Sequence, residues 1–466
     1  GKLVNFYMPF VDTTPNVADM SRHPTLVRAG TGDFYEGISF RYDPAVKVAR
    51  DGRLGDRLVA DDKTNFAPRL GIAWNPSTKW VVRTGGGMFY AQDTGNPRFD
   101  MARNLAGRRR DIATPANIDL TWNSPFRGLG SGPDGTDLLP QPYGLANIYN
   151  RRTPYSIQYL LNVQRELTGD TALEIGYIGS VSRRLESLRA FNEAYPTADP
   201  TLTVALRSPY PELGRFQEVD GSGKANYNAL SVKLQRRFSK GLTYMFGYTW
   251  SRSIDQGSAI RVHDTDVLFP QSSYNLRAER GLSSFNLDHR AVTSVLYDLP
   301  IGKGRRFLSN GGIADAIIGG WQLGSIFTVQ SGFPATVIDN KDQSNTGIGY
   351  DRPNATGQYA VLPRDVRNPD RWFNTAAFAL QPYGTFGTAG RNTVITPGSI
   401  QLDFSAHKEF RIVENHALQF RFEAFNLPNH PNWGNPDISI TSQTFGRINS
   451  TRTNMREIQL ALKYMF

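Results

Sequence analysis

The chain has 466 residues, a net charge of +10 and no cysteine, which excludes structural disulfides and cysteine-based metal sites. Aromatics at 12% argue against disorder, and 44 Gly with 28 Pro favour many turns and long ordered loops over helices. No apolar run reaches the roughly 18 residues of a transmembrane helix, but alternating membrane strands never make one, so a β-barrel stays open.

Residues 1–65 show no firm spanning strand; Asp33 to Tyr42 could make a short one. The opening Gly1-Lys2-Leu3-Val4 is no signal peptide. From residue 66 the pattern has period two. A hairpin pairs about 66–74 with 80–90 around Asn75-Pro76-Ser77. Next, Ile157, Tyr159, Leu161, Val163 and Leu167 alternate with Gln158, Asn162, Gln164 and Glu166; after Thr168-Gly169-Asp170 come Leu173, Ile175 and Tyr177. Leu230, Val232, Leu234 and Phe238 oppose Ser231, Lys233, Gln235 and Arg237, with Arg236 breaking the apolar side where a long side chain can snorkel. Past Ser239-Lys240-Gly241, Leu242, Tyr244, Phe246, Tyr248 and Trp250 share one side. A fourth hairpin pairs about 288–299 with 318–330. A fifth sets Leu402, Phe404, Ala406 and Phe410 beside Leu418, Phe420 and Phe422. The last strand carries Ile458, Leu460, Leu462, Tyr464 and Phe466.

A soluble sandwich also alternates, but three features favour a membrane. The strands reach about 10–12 residues, near the 9–11 of a tilted span. Aromatics gather at strand ends, as at Tyr248, Trp250, Tyr464 and Phe466, like an interfacial girdle. The polar side carries Asp403, Glu409, Arg411, Arg421 and Glu423, which a wet or plugged lumen accepts. Four short turns (75–79, 168–170, 239–241, 413–416) and one longer one (300–317) alternate with long connections at 91–155, 182–226, 254–287, 331–400 and 427–454. That asymmetry is the outer-membrane one. Parity puts Leu230, Val232, Leu234, Leu242, Phe246, Phe420, Phe422 and Leu460 toward lipid, and the short turns on the rim of Phe466. Eleven strands leave two open edges, which lipid does not tolerate. Missing upstream strands, or a second polypeptide, are therefore expected, with 1–65 as the extracellular loop region before the barrel portion 66–466.

Phe66-Ala67-Pro68-Arg69-Leu70-Gly71-Ile72-Ala73-Trp74 followed by Val82-Arg83-Thr84-Gly85-Gly86-Gly87-Met88-Phe89-Tyr90 resembles the barrel of TonB-dependent outer-membrane receptors. The Oar-like branch, which begins with a carboxypeptidase-regulatory-like domain, is the most similar. Tyr227-Asn228-Ala229-Leu230, Tyr248-Thr249-Trp250-Ser251-Arg252-Ser253, Gly320-Trp321-Gln322-Leu323, Phe422-Glu423-Ala424-Phe425-Asn426-Leu427 and Phe445-Gly446-Arg447-Ile448 fit in order and spacing. The resemblance implies an all-β fold: a transmembrane antiparallel β-barrel, of which this chain gives the C-terminal half, about eleven of 22 strands. It implies outer-membrane localisation, lipid and lipopolysaccharide around the barrel, a plug and TonB complex as partners, and uptake of a bulky nutrient such as a glycan, peptide or metal chelate. The chain itself shows neither plug nor TonB box. The alternative is a structural or adhesive surface protein with ligand-binding loops.

Local chemistry adds little. No catalytic, cofactor or metal residues are assigned, and no enzyme activity is expected. His263-Asp264-Thr265-Asp266 reads as a solvated loop rather than a metal patch. His407 with Asp403 and Arg411 reads as a lumen hydrogen-bond network rather than an acid/base site. Asp339-Asn340-Lys341-Asp342 and Asp134-Gly135-Thr136-Asp137 do not complete a calcium loop. Arg151-Arg152 and Arg108-Arg109-Arg110 could face polyanionic lipid or substrate, or simply solvent. The basic residues are scattered without a recognition motif, so nucleic acid is not expected as a partner.

Overall fold

The computed structural model describes residues 3–10, 12–38, 40–91, 101, 104, 130–131, 137–139, 144–199, 201–214, 216–259, 270–413 and 416–466. Eleven antiparallel strands follow one another in chain order as one sheet. They are β1 (Arg69–Ser77), β2 (Trp80–Tyr90), β3 (Tyr155–Thr168), β4 (Thr171–Phe191), β5 (Phe216–Ser239) and β6 (Leu242–Asp255). The series continues with β7 (His289–Asp298), β8 (Trp321–Gln330), β9 (Ser399–Val413), β10 (His416–Phe425) and β11 (Glu457–Met465). Among the described residues β1 and β11 each pair on one side only, so the sheet is open. Two short segments join it near the long-loop rim: Gly144–Asn147 lies parallel to the start of β5, and Gly281–Leu282 pairs with β6.

Register turns the period-two sequence into two faces. Leu230 sits opposite Tyr177 and Trp250, Val232 opposite Ile175 and Tyr248, and Leu234 opposite Leu173 and Phe246. Toward the C-terminus the same face runs through Leu242, Tyr297, Leu323, Ala406, Phe422 and Leu460. Toward β1 it runs through Ile175, Val163, Val82 and Trp74. All eight residues expected toward lipid therefore share one face. A one-residue slip in any strand would have broken it.

The short connections share one rim. Lys240 and Gly241 both have positive φ, 53° and 81°, as a tight two-residue turn with right-handed strand twist requires. At the neighbouring turn Asp170 accepts from the Thr168 and Thr171 hydroxyls and pairs with Arg236 at 3.0 Å. Arg236 thus meets a carboxylate rather than only snorkelling. Asn415 lies outside the described residues, but the Val413–His416 pair ends that hairpin at the same rim, and Met465 opposite Ala417 brings the C-terminus there too.

One expectation needs correction. β4 and β5 run to 21 and 24 residues, well into the stretch expected as the loop 182–226. The alternation is hidden there by register shifts at Ser182/Leu185 and Leu185/Ser187 and by Arg184 at φ 56°. Such bulges switch which parity is apolar. The described residues of 1–65 precede the first spanning strand and form a packed unit. Val4–Tyr7, Thr25–Arg28 and Val48–Ala49 form a small sheet. Val4, Phe6, Leu26 and Phe34 share a core with Phe191, Tyr210 and Phe216 on and above the tall ends of β4 and β5. The short strand expected within 33–42 is Phe40–Tyr42, parallel to Asp137–Leu139.

Candidate functional site

The polar face of the sheet is a connected surface. Arg83 donates to Gln164 at 3.3 Å and Asn162 to Glu174 at 2.9 Å. Gln401 donates to both Asp403 oxygens at 3.1 Å, and Asp403 also accepts from the Asn426 backbone. Such charges are tolerable only in a wet or plugged lumen. His407 lies opposite Gln322 and Arg421, but Asp403 and Arg411 are not gathered around it. Four residues along an extended strand separate positions by about 13 Å, and Arg411 pairs with Glu409 at 3.6 Å.

Above the sheet, the long connections lock together through buried charges. Arg352 and Glu279 pair at 2.7 Å, each with a side chain only 2% exposed. The Arg352 backbone N–H donates to Gln271, and its Nε to the Ala389 carbonyl. Arg391 pairs with Asp255 and donates to the Glu279 carbonyl. Arg189 pairs with Glu218 at 2.6 Å inside the β4–β5 extension. Glu193 accepts from the Ser273 backbone, and Tyr274 stacks on Tyr195. Residues 1–65 join through His23–Glu212 at 2.7 Å and through Asp12, which accepts from the Tyr210 hydroxyl at 3.2 Å and pairs with Arg22 of its own segment at 2.7 Å. The Arg22 hydrogen bonds hold the Asp12 carboxyl below its ordinary range, and burial pushes the Tyr210 phenol up to about 12.

This layer is pre-organised, because satisfied buried ion pairs lose heavily if one partner moves away. A cleft of about 430 Å³ opens in it, lined by Gln271, Ser272, Asn275, Glu279, Arg352 and the 386–390 backbone. It offers amide, hydroxyl and carbonyl groups on a rigid frame, as a polar solute requires.

The sequence candidates resolve unevenly. His263-Asp264-Thr265-Asp266, Arg108-Arg109-Arg110 and Asp134-Gly135-Thr136 lie outside the described residues. Arg151 pairs with Glu186 at 2.6 Å and Arg152 with Asp62 at 3.3 Å, so both are engaged within the molecule. Asp342 accepts from the Thr346 and Gly347 backbone, and Asp339 from Lys341, so both carboxylates shape their own loop. Among the described residues no three or more His, Cys, Asp or Glu form a group that could hold a metal ion. Sequence reasoning missed Arg352, Glu279, Arg391 and Asp255. No local motif marks them.

An open antiparallel sheet with an apolar belt, a charged opposite face and a folded layer over one rim is a segment of an outer-membrane barrel wall. A family model described as outer membrane beta barrel domain matches residues 6–459. The chain belongs to that family and is an outer-membrane protein. No curated protein matches it. Among solved structures it is similar to the outer membrane transporter YddB from Escherichia coli, at 9% identity and a TM-score of 0.48, over 86% of this chain and 40% of that one. It is similar to P. aeruginosa FpvA bound to heterologous pyoverdines, at 10% identity and a TM-score of 0.41, over 87% and 33%. It is also similar to the siderophore receptor PiuA from Acinetobacter baumannii, at 10% identity and a TM-score of 0.40, over 85% and 35%. The matched region is thus 33–40% of those proteins' length.

Proposed function

We propose that this chain forms about half the barrel of an Oar-like TonB-dependent receptor whose whole polypeptide imports a bulky nutrient: a glycan, a peptide or a metal chelate. The long-loop rim, with residues 1–65 packed on it, is the extracellular side. The observation that carries the reading is the pair of edges, β1 and β11, that stay open among the described residues on a sheet of eleven strands. Each unpaired backbone group in lipid costs several kcal/mol, so another set of strands must close the barrel. A partner set of equal size makes 22, and a lumen that wide needs a plug. The plug is the natural contact for the TonB complex. The charged polar face and the cleft at Arg352 suit a hydrated solute path.

The test is the architecture of the native protein extracted from its outer membrane and imaged by electron microscopy. The expected result is a barrel of 22 strands around a plug. A barrel of 16 or fewer strands closing within residues 1–466 would replace this reading with a porin-like channel. A 22-stranded barrel lacking both plug and TonB box would favour the adhesive reading, which the folded cap of loops also suits.

A further inference from the structure

Lys408 lies on the wrong face. Its register partners are Trp321 on β8 and Phe420 on β10, so it belongs to the apolar side of the sheet. A bare ammonium is disfavoured against lipid. The connection between β7 and β8 resolves the conflict. It is the one long connection on the short-turn rim, and it contains a helix, α1 (Ile313–Ile318). The Lys408 ammonium donates to the Asp315 carbonyl at 3.1 Å and to the Ala316 carbonyl at 2.6 Å, and Lys408 is only 5% exposed. Trp321, on the same face, donates its indole N–H to the Ile317 carbonyl at 2.9 Å. The helix is therefore pinned against the apolar side of the sheet, with a cation on its C-terminal carbonyls.

Once pinned, α1 leaves its own apolar residues uncovered. Ile313 is 83% exposed and Ile317 64%, with Phe307 at 53% just before them. Lys303, Arg305 and Arg306 precede this patch; Arg306 lies over the Phe307 ring, and Arg305 makes a 3.6 Å contact with Asp298. Apolar residues that continue a lipid-facing belt, flanked by cations at its rim, match the chemistry of a membrane–water interface. The partner strands and a plug are poor candidates to cover the patch. It packs on β8 and β9, with β10 and β11 between it and the nearer open edge, and on the face away from the lumen.

We propose that the β7–β8 connection is an interfacial anchor: α1 lies in the headgroup region of the leaflet at the short-turn rim, with Ile313, Ile317 and Phe307 among acyl chains and Lys303, Arg305 and Arg306 on anionic phosphates. This follows from membrane embedding alone and does not depend on transport.

Residues 1–466 hold no cysteine, so a label goes to one chosen site once any cysteine elsewhere in the polypeptide is replaced by serine. In the complete native protein, reconstituted in vesicles, a polarity-sensitive fluorophore is attached at Ile317→Cys, at Leu460→Cys as the lipid reference and at Lys341→Cys as the aqueous one. Brominated phosphatidylcholine is expected to quench Ile317→Cys nearly as strongly as Leu460→Cys, and most strongly with bromine placed near the headgroups. Adding phosphatidylglycerol is expected to deepen that quenching, and K303Q/R305Q/R306Q to remove the increment. Quenching of Ile317→Cys by aqueous iodide equal to that of Lys341→Cys, with no effect of brominated lipid, overturns the anchor. If Leu460→Cys responds and phosphatidylglycerol has no effect on Ile317→Cys, the anionic part is overturned.

Discussion

Arg352 and Glu279 show what single side chains contribute to the loop layer. Both are buried, and they are 73 residues apart in sequence. Removing one partner leaves an uncompensated charge, a loss of about 3–5 kcal/mol. In R352M or E279M, residues 331–398 should be cleaved much faster by added protease, while the barrel keeps its heat-modifiable migration on gels. The double variant should recover part of the resistance. A double variant no better than either single would show that the pair is not the unit of stability. A gentler tie is at Asp62, whose carboxylate accepts from the Thr153 backbone at 2.9 Å. That hydrogen bond, with those from Thr64, holds its pKa well below the ordinary carboxylate value. The folded value is depressed, so the stabilisation is present above the unfolded value of about 3.9 and is lost as pH falls through the folded one. A spin label at Lys63→Cys should be immobile near about pH 5 and loosen toward about pH 2. In D62N it should be loose throughout.

At the scale of elements, the spanning strands are legible because one face meets lipid and the other water, so hydropathy itself has period two. The tall halves of β4 and β5 are not legible. Above the Tyr155–Arg183 pair, β4 no longer has β3 beside it and continues with β5 alone, through two register shifts. Leu188, Ala190, Phe191, Phe216 and Val219 there face protein rather than lipid. Their parity therefore carries no membrane signal. The ion pairs of the loops are equally invisible in sequence, because Arg391 finds Asp255 from 136 residues away. Lys408 is the opposite case: it stands out as a gap in an apolar row, and only the helix explains it. Within the belt, Gly179 is constrained by contact. A Cβ there would meet the Tyr159 ring at 2.2 Å, and the Tyr159 hydroxyl donates to Asn228. Gly179→Val should displace the ring and destabilise the sheet by about 1–3 kcal/mol. A folded fraction unchanged in urea titration of the native protein would show that the ring gives way freely.

At the scale of the whole molecule, the two edges dominate. Residues 66–466 produced alone and offered to lipid should not give a heat-modifiable, protease-resistant barrel, because β1 and β11 each present an unpaired row of N–H and C=O groups. Co-production with the segment that precedes them in the gene should restore both properties. A stable closed species from this portion alone would mean that β1 and β11 can meet, and the 22-strand reading would fail.

The 24 residues of β5 would span about 80 Å fully extended, while a tilted membrane crossing uses about 9–11 of them. In the proposed orientation the remainder stands on the order of 40 Å beyond the bilayer. It is a stiff mast of β4 and β5 with Gly144–Asn147 alongside, braced by Arg189–Glu218 and by residues 1–65. A bacterial surface is thatched with sugar chains, and short loops lie hidden beneath the thatch. In that orientation the β4–β5 connection, with the short helix Val204–Arg207, would rise among those chains. It would give antibodies and phages their first view of the protein.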